Sequence, residues 1–339
     1  GVGVGGDDGH RPLVAGLAAA QFGLEDDQEL VGRPEARRTL HGADDDRTRI
    51  FDEFLEGGIG RLGMVDMAHR LCVAGIGAET LDLVADIPAT YGDKGARSKT
   101  VGLVDAPGRR FVFSLYDAGE IWIADFSKGA KPEITRFPDI GNQPYDALIT
   151  SDGRHYIAGL FGEDGLAHLD LWAENPKPNR IMPGYGKGEE KLPVYKMPHL
   201  EGWALAGGRF IFPEVGHHEL LAMDASSFTE ASRVKVHGQP VFAIARPDGR
   251  QVWVNFAHPL NDTIQVVDVP SLKVIHEFKP GPAALHMEFT PRGDEVWISV
   301  RDADKVEIYD TRTFEKKGEL DLAKPSGIFF TARANRIGL

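Results

Sequence analysis

The stretch PDGRQVWVNF, residues 247–256, joins a glycine-containing turn to a run of apolar and β-branched residues, and it decides the fold. Proline, aspartate and glycine favour a tight turn, whereas valine and tryptophan alternating with polar residues favour a β-strand. The same combination occurs five times along the chain. Its other copies are APGRRFVFSL (106–115), SDGRHYIAGL (151–160), AGGRFIFPEV (206–215) and PRGDEVWISV (291–300).

The spacing of these turns is regular. Successive turn glycines lie 45, 55, 41 and 44 residues apart, at Gly108, Gly153, Gly208, Gly249 and Gly293. A second strand pattern ends in aspartate 16 to 19 residues after each glycine, at Asp125, Asp170, Asp224, Asp268 and Asp310. Four short strands in about 40 to 45 residues are typical of one β-propeller blade. We therefore predict an all-β propeller with about six regular blades, since a β-sandwich, the alternative, does not account for the period.

Each blade is expected to begin with an inner strand that lines the central channel, such as residues 240–247 and 284–291. Residues just before those strands would then surround the mouth of the channel.

Residues 1–78 differ in kind from the rest. No Ser, Lys, Asn, Tyr or Trp occurs before Tyr91. The opening glycines fit a Gly-x-Gly-x-x-Gly count, but no strand precedes them, so neither a dinucleotide site nor NAD is expected. LVAGLAAA, residues 13–20, resembles a signal-peptide core without a basic leader before it. We predict an atypical N-terminal region, 1–78, that is disordered, a leader or translated in a shifted frame, and a propeller domain, 79–339.

Charge and cysteine content narrow the class of ligand. A formal net charge of -13 disfavours nucleic acid as a partner, because nucleic-acid binding needs basic patches. The single cysteine, Cys72, excludes an internal disulfide and a cysteine-based metal cluster within one chain. No apolar run has the length of a membrane span, so the chain is not expected to be integral to a membrane. Small molecules and proteins are the expected partners.

One repeat is about ten residues longer than the others, and insertions in a single repeat commonly map to the functional face. The excess lies in residues 174–198 and leads into KLPVYKMPHLEGW, residues 191–203. Its prolines, Pro193 and Pro198, disfavour a helix and predict an extended loop. The alternative to a ligand-binding loop is a surface loop whose histidine is simply hydrogen-bonded. The side chains that this loop would present are Lys191, Tyr195, Lys196 and His199.

Several motifs carry a resemblance to a known family. They are QPYDALITSDGRHYIAGLFGEDG (143–165), KLPVYKMPHLEGW (191–203), VGHHE (215–219), HMEFTPRGDEVWISVRDAD (286–304) and PSGIFFTARANRIGL (325–339). The chain resembles the NirF family of haem d1 biosynthesis proteins over about residues 79–339. More distantly, it is similar to the haem d1 domain of cytochrome cd nitrite reductases.

The resemblance implies an eight-bladed propeller, here incomplete, that binds haem d1 or its late dihydro precursor over the channel. It also implies a periplasmic protein of denitrification and nitrite reductase maturation, whose partners are other haem d1 maturation proteins and nitrite reductase. A homodimer is left open. Two activities remain open, an oxidoreductase that dehydrogenates a tetrapyrrole side chain and a non-catalytic carrier. An interaction propeller without a cofactor is the third alternative.

A carboxylated iron tetrapyrrole needs an axial ligand, and neutral imidazole is a good iron ligand. His199 is the first choice, as metal ligand and catalytic acid–base. His217 and His218 come second; as adjacent strand histidines they are expected to point to opposite faces, so at most one faces the ligand. His286 opens an inner strand and is a third candidate, with a hydrogen bond to a neighbouring blade as its alternative role.

The peripheral acids of such a ligand need cations and hydroxyl donors. Lys191, Lys196 and Arg301 are the expected carboxylate clamps, and Arg301 has a forked guanidinium suited to this role. Tyr145 and Tyr195 are expected to donate to the same acids. A solvated surface charge is the alternative for each cation. No role is assigned to the remaining histidines considered, His41, His155, His168, His237, His258 and His276.

Overall fold

The structure, a computed structural model, describes residues 62–64, 72–76, 83–186, 203–214 and 216–328. Over these residues it consists of β-strands, turns and one short 3-10 helix, Arg301–Ala303.

Six antiparallel sheets follow one another along the chain, and within each sheet the strands are ordered as in the sequence. Sheet 1 contains β1 (Leu62–Met64), β2 (Cys72–Ile76) and β3 (Leu83–Pro88), and a hairpin of β4 (Thr90–Tyr91) and β5 (Ala96–Arg97) follows it. Sheet 2 contains β6 (Thr100–Ala106), β7 (Arg110–Leu115), β8 (Glu120–Asp125) and β9 (Glu133–Phe137). Sheet 3 contains β10 (Pro144–Ile149), β11 (His155–Leu160), β12 (Leu166–Asp170) and β13 (Asn179–Ile181).

Sheet 4 contains β14 (Ala204–Ala206), β15 (Arg209–Glu214), β16 (Glu219–Asp224) and β17 (Glu230–Lys235). Sheet 5 contains β18 (Pro240–Ala245), β19 (Gln251–Phe256), β20 (Ile264–Asp268) and β21 (Lys273–Phe278). Sheet 6 contains β22 (Ala284–Phe289), β23 (Glu295–Val300), β24 (Lys305–Asp310) and β25 (Lys316–Asp321).

The repeated glycines occupy equivalent turns, as predicted. Each lies between the first and second strands of its sheet, with φ between 67° and 84°. This is the left-handed region, which glycine enters without the steric cost that a Cβ imposes. The recurrence of glycine at this point of the repeat therefore has a backbone cause.

The repeated aspartates also share one local structure. Each ends the third strand of its sheet and accepts a backbone N–H from the turn that follows, in four sheets as an Asx turn and in sheet 5 from the residue three positions on. The donors and distances are Ser127 to Asp125 2.7 Å, Trp172 to Asp170 3.0 Å, Ser226 to Asp224 2.9 Å, Ser271 to Asp268 3.0 Å and Arg312 to Asp310 2.8 Å.

Packing between the sheets establishes the propeller. Five buried apolar clusters each join one sheet to the next, from sheet 1 with sheet 2 through to sheet 5 with sheet 6. The second strands are buried almost throughout, while the fourth strands are largely exposed. First strands of neighbouring sheets contact one another, as in β6 with β10 and β18 with β22. These are the inner and outer strands of propeller blades.

The domain boundary at residue 79 stays a prediction. Strands β1 and β2 lie on its N-terminal side. Most of region 1–78 lies outside the described residues, and so does His41.

Candidate functional site

The antiparallel order determines which loops share one edge of the propeller. In each sheet the first strand begins where the second strand ends, and we call this edge the upper face. Contacts between neighbouring sheets join the same edge, as between Tyr116 of sheet 2 and Tyr145 of sheet 3, and between Asn255 of sheet 5 and Ala284 of sheet 6.

The residue that follows the second strand occupies the same position in four sheets. Its backbone N–H donates to the carbonyl of the residue before the first strand of that sheet. We call these four residues the mouth positions. The bonds run from Tyr116 to Lys99 at 2.8 Å, from Phe161 to Gln143 at 2.8 Å, from Ala257 to Gln239 at 2.8 Å and from Arg301 to Ala283 at 2.9 Å.

The structure places the described candidates together on the upper face. Tyr145 is the second residue of a first strand, Arg301 is a mouth position, and His217 and His218 follow a second strand. His286 lies in the first half of β22, towards the same edge. The remaining candidates, Lys191, Tyr195, Lys196 and His199, lie outside the described residues.

The segment that carries those four residues has described neighbours at both ends. The described chain stops at Gly186 after a fourth strand and resumes at Trp203 immediately before β14. Both points belong to the upper face. They are flanked by buried rings, because Tyr185 and Trp203 pack edge to face at 6.4 Å and each contacts Phe212.

Tyr145 belongs to a cluster of three half-buried aromatic rings, which we call the aromatic trio. Its ring centroid lies 6.4 Å from that of Tyr116 and 5.7 Å from that of Phe161, and those two rings are 6.4 Å apart. Burial, with the nearby charge of Asp146, raises the pKa of Tyr145 to about 12. Burial also raises the pKa of Tyr116. Both phenols are therefore protonated hydrogen-bond donors at neutral pH.

The two adjacent histidines lie in a turn, which corrects the expectation that they occupy a strand. Strand β15 ends at Glu214 and β16 begins at Glu219, so His217 and His218 lie between them. His218 has φ of 52°, a turn conformation, and alternation of faces does not apply to the pair. The side chain of His217 is 44% exposed, and its Nε2 lies 3.9 Å from Oε1 of Glu214.

Glu214 belongs to a buried charge network that the sequence did not reveal. Its side chain is fully buried, and Nη1 of Arg233 donates to its Oε2 at 2.5 Å. Arg233 also contacts Glu219 at 3.3 Å and Glu230 at 2.8 Å. Burial raises the pKa of Glu214, and the charges of Arg233 and His217 oppose that rise. The turn that carries His217 is thus fixed to sheet 4 by a buried ion pair.

His286 has the contacts of a packed core side chain. Its ring is 4% exposed and meets Phe242 edge to face at 5.0 Å. Its Nδ1 accepts the backbone N–H of Ile328 at 3.1 Å, which ties β22 to the chain after sheet 6. These contacts agree with the alternative role expected for it, and its role as a ligand stays a prediction.

Arg301 is exposed at the mouth position of sheet 6, where the 3-10 helix begins. Among the described residues its guanidinium forms no hydrogen bond or ion pair, in contrast to Arg233 and Arg136. An exposed forked donor without a carboxylate partner is suited to bind a ligand carboxylate.

The other described histidines have structural surroundings. Nδ1 of His155 lies 2.9 Å from Nε2 of His168, whose Nδ1 contacts Oδ1 of Asn179 at 2.7 Å. His276 stacks on Phe314 at 4.3 Å. Within the described part of the chain, no group of three or more His, Cys, Asp or Glu residues is arranged to hold a metal ion. The described residues also include no helix long and apolar enough to cross a membrane.

The described side chains of the upper face combine charge, hydrogen-bond donors and aromatic rings. The upper face offers an unpaired guanidinium, an exposed imidazole and half-buried protonated tyrosines. The fold is that of a β-propeller, and its candidate site residues lie on the upper face.

Comparisons with known proteins define the family. The family model described as Cytochrome D1 heme domain matches residues 72–334. Protein NirF of Pseudomonas aeruginosa is 52% identical over 301 residues, which cover 86% of this chain and 77% of that protein. Protein NirF of Stutzerimonas stutzeri is 50% identical over 303 residues, with 86% and 78% covered. The chain belongs to the NirF group of the cytochrome D1 heme domain family.

More distant relatives agree with the fold. The Dihydro-heme d1 dehydrogenase of Pseudomonas aeruginosa is 25% identical over 311 residues, 89% of this chain and 57% of that protein. The solved structure of dihydro-heme d1 dehydrogenase NirN in complex with DHE has a TM-score of 0.67 at 24% identity, covering 81% of this chain and 58% of that one. A putative 6-phosphogluconolactonase from Bacteroides uniformis has a TM-score of 0.52 at 15% identity, with 78% and 82% covered.

Proposed function

We propose that this chain binds haem d1 or its dihydro precursor on the upper face, as a protein of haem d1 biosynthesis. One observation carries the proposal. This chain belongs to the cytochrome D1 heme domain family, and the guanidinium of its Arg301 is exposed at a mouth position without a described carboxylate partner. The relatives named for dihydro-heme d1 chemistry support the same class of ligand.

Each candidate residue has a binding role that follows from its chemistry. Arg301 would hold a peripheral carboxylate through its forked donors. Tyr145 would donate its phenolic proton, because its raised pKa of about 12 keeps it protonated. His217 would present an exposed imidazole to the ligand, and its Nε2 lies 3.9 Å from Oε1 of the buried Glu214. Lys191, Tyr195, Lys196 and His199 retain their predicted roles, with His199 as first choice for the iron ligand.

Dehydrogenation of the dihydro precursor is the candidate reaction, favoured by the 25% identical dehydrogenase relative. A bound precursor would supply the saturated side chain that is oxidised. This chain would orient that side chain and take up one proton on a histidine of the upper face, His199 or His217, while the two electrons and the second proton would pass to an external electron acceptor. The alternative is carriage of the finished cofactor towards nitrite reductase in the periplasm, in contact with other maturation proteins, as a monomer or a homodimer. Turnover of the dihydro precursor with an added electron acceptor separates the two.

Titration of the full chain with ferric haem d1, followed by the Soret band, tests the binding proposal. Arg301→Ala should weaken binding about tenfold, because a charge-assisted hydrogen bond is lost. Arg292→Ala is the matched control, since that side chain is 91% exposed in the turn at the opposite edge of the same sheet. The methyl ester of haem d1 should bind parent and Arg301→Ala equally. Absence of any spectral change with the parent chain would overturn the proposed function.

A further inference from the structure

Two members of the aromatic trio occupy, in their own sheets, the same position that Arg301 occupies in sheet 6. Tyr116 and Phe161 are the mouth positions of sheets 2 and 3, and each is held by the same backbone hydrogen bond as Arg301. Equivalent positions in successive blades lie at the same level around the channel. A ligand that reaches Arg301 on one side of the mouth is therefore level with the rings of Tyr116 and Phe161 on another.

A lysine and an aspartate accompany the trio. Nζ of Lys99 lies 4.7 Å from the ring centroid of Tyr116, which is a cation–π contact, and 3.9 Å from Oδ1 of Asp117. The Lys99 side chain is 47% exposed and that of Asp117 is 34% exposed. The backbone N–H of Lys99 also donates to Oδ2 of Asp117 at 2.8 Å. The lysine is thus fixed beside the rings but accessible, and its partner carboxylate is one that an incoming acid can displace.

We propose that the aromatic trio and Lys99 form a second half of the tetrapyrrole site. The rings of Tyr116, Tyr145 and Phe161 contact the apolar macrocycle, and Lys99 binds one of its peripheral carboxylates in competition with Asp117. The inference rests on the proposed function and adds Lys99, Tyr116 and Phe161 to the residues expected from the sequence. It places the aromatic contacts on sheets 2 and 3 and the arginine clamp on sheet 6.

The physical reason lies in the geometry of the trio. Tyr116 meets Tyr145 at 74°, and Phe161 meets each of them at 44° to 45°, so no two of the rings stack face to face. Half-buried rings in this arrangement offer apolar area together with phenol donors at low entropic cost. A flat macrocycle gains most from such a surface, and a neighbouring cation adds attraction for its acids.

Leucine substitutions test the ring contacts. Tyr116→Leu and Phe161→Leu in the full chain should each weaken binding of ferric haem d1 about three- to tenfold, because an aromatic contact is lost while apolar volume is largely kept. Trp172→Leu is the matched control, because this indole is 55% exposed in the turn after β12, at the opposite edge of sheet 3. Circular dichroism and thermal unfolding verify that each variant is folded.

Substitutions of Lys99 and Asp117 should change the affinity for haem d1 in opposite directions. Lys99→Ala should weaken binding of free-acid haem d1 about two- to fivefold, the range for an exposed ion pair. Asp117→Asn should strengthen it by a similar factor, since the competing charge is removed while the amide oxygen still accepts the N–H of Lys99. Damage to the fold cannot mimic a gain in affinity. The methyl ester should be insensitive to both substitutions.

The outcomes separate this inference from the proposed function. A parent chain that fails to bind haem d1 removes the proposed function and this inference with it. A parent that binds, with unchanged affinity in Tyr116→Leu, Phe161→Leu and Asp117→Asn, overturns the inference alone. In that case the trio is covered by this chain's own residues, and Arg301 still distinguishes free acid from ester.

Discussion

The buried ion pair of sheet 4 allows a stability effect to be worked out from the structure. Arg233→Met would keep most of the apolar stem of the side chain but remove the charge that faces Glu214, whose carboxylate is fully buried. Leaving a buried charge without its partner costs about 3 to 5 kcal/mol, and because Arg233 is itself 30% exposed we expect the lower part of that range or less, about 2 to 3 kcal/mol. For a domain of this size the loss corresponds to a Tm about 4 to 6 °C lower.

Chemical and thermal unfolding at pH 7 measure the loss. Lys235→Met is the matched control, because Lys235 lies in the same strand and contacts Glu219 at 2.7 Å but is 84% exposed. It should cost less than about 0.5 kcal/mol. Equal losses for Arg233→Met and Lys235→Met would refute the assignment of a buried, structurally important ion pair to Arg233.

Glu214→Gln removes the other partner of the ion pair, and its stability can be measured in the same experiment. Burial raises the pKa of Glu214 above its ordinary value of 4.5, so the fold favours the protonated form. The stability that this group contributes is therefore present at low pH and is lost as pH rises through the folded pKa. We expect the stability of the parent relative to Glu214→Gln to fall as pH rises from about 4.5, and Glu214→Gln to cost less than Arg233→Met at pH 7.

Three further predictions concern other parts of the chain. Burial lowers the pKa values of His155 and His168, so their stability contribution is present above about pH 6.5 and lost as pH falls below it; thermal unfolding of the double glutamine variant should show a weaker acid dependence. Gly249→Ala should cost about 1 to 2 kcal/mol in urea unfolding, because φ is 67°, whereas Gly318→Ala, with no heavy atom within 4 Å of the added Cβ and no positive φ, should be nearly neutral. His199→Ala should abolish the Soret shift on haem d1 binding, and in the parent that shift should weaken below about pH 6.5; an unchanged spectrum and affinity would make His199 structural.

The fold was predictable because its determinants are local. Gly153 and its equivalents adopt positive φ, and Asp224 and its equivalents accept turn N–H groups, so each repeat carries its own turn signals. Both signals recur at the period of one blade, and the period specifies the architecture. Second strands such as β19 are buried on both faces, which explains why apolar residues there are more continuous than strict alternation allows.

The site was less predictable, because it depends on where strands end and on register. Pro213 and Glu214 complete β15, and the pairing of β15 with β16 puts the two histidines in the turn. Valine favours strands, so the propensity of Val215 predicts a longer strand than β15 and does not give the boundary at Glu214. The contact between Arg233 and Glu214 spans 19 residues and includes a register shift between Ala222 and Met223, so counting along the strands does not give the face of the arginine.

The sequence contains a further signal for the candidate site, and it lies at the mouth positions. Aligning the repeats on their glycines places Tyr116, Phe161, Ala257 and Arg301 in one column, directly after the second strand. The backbone hydrogen bond at this column is the same in all four sheets, so the fold requires no particular side chain there. Side chains at such a column are free to vary from blade to blade, and we expect a ligand over the channel to contact them. In this repeat fold, positions that recur specify the blade. Equivalent positions that differ, here two aromatic rings, a methyl group and a guanidinium, distinguish the proposed binding face from blade to blade.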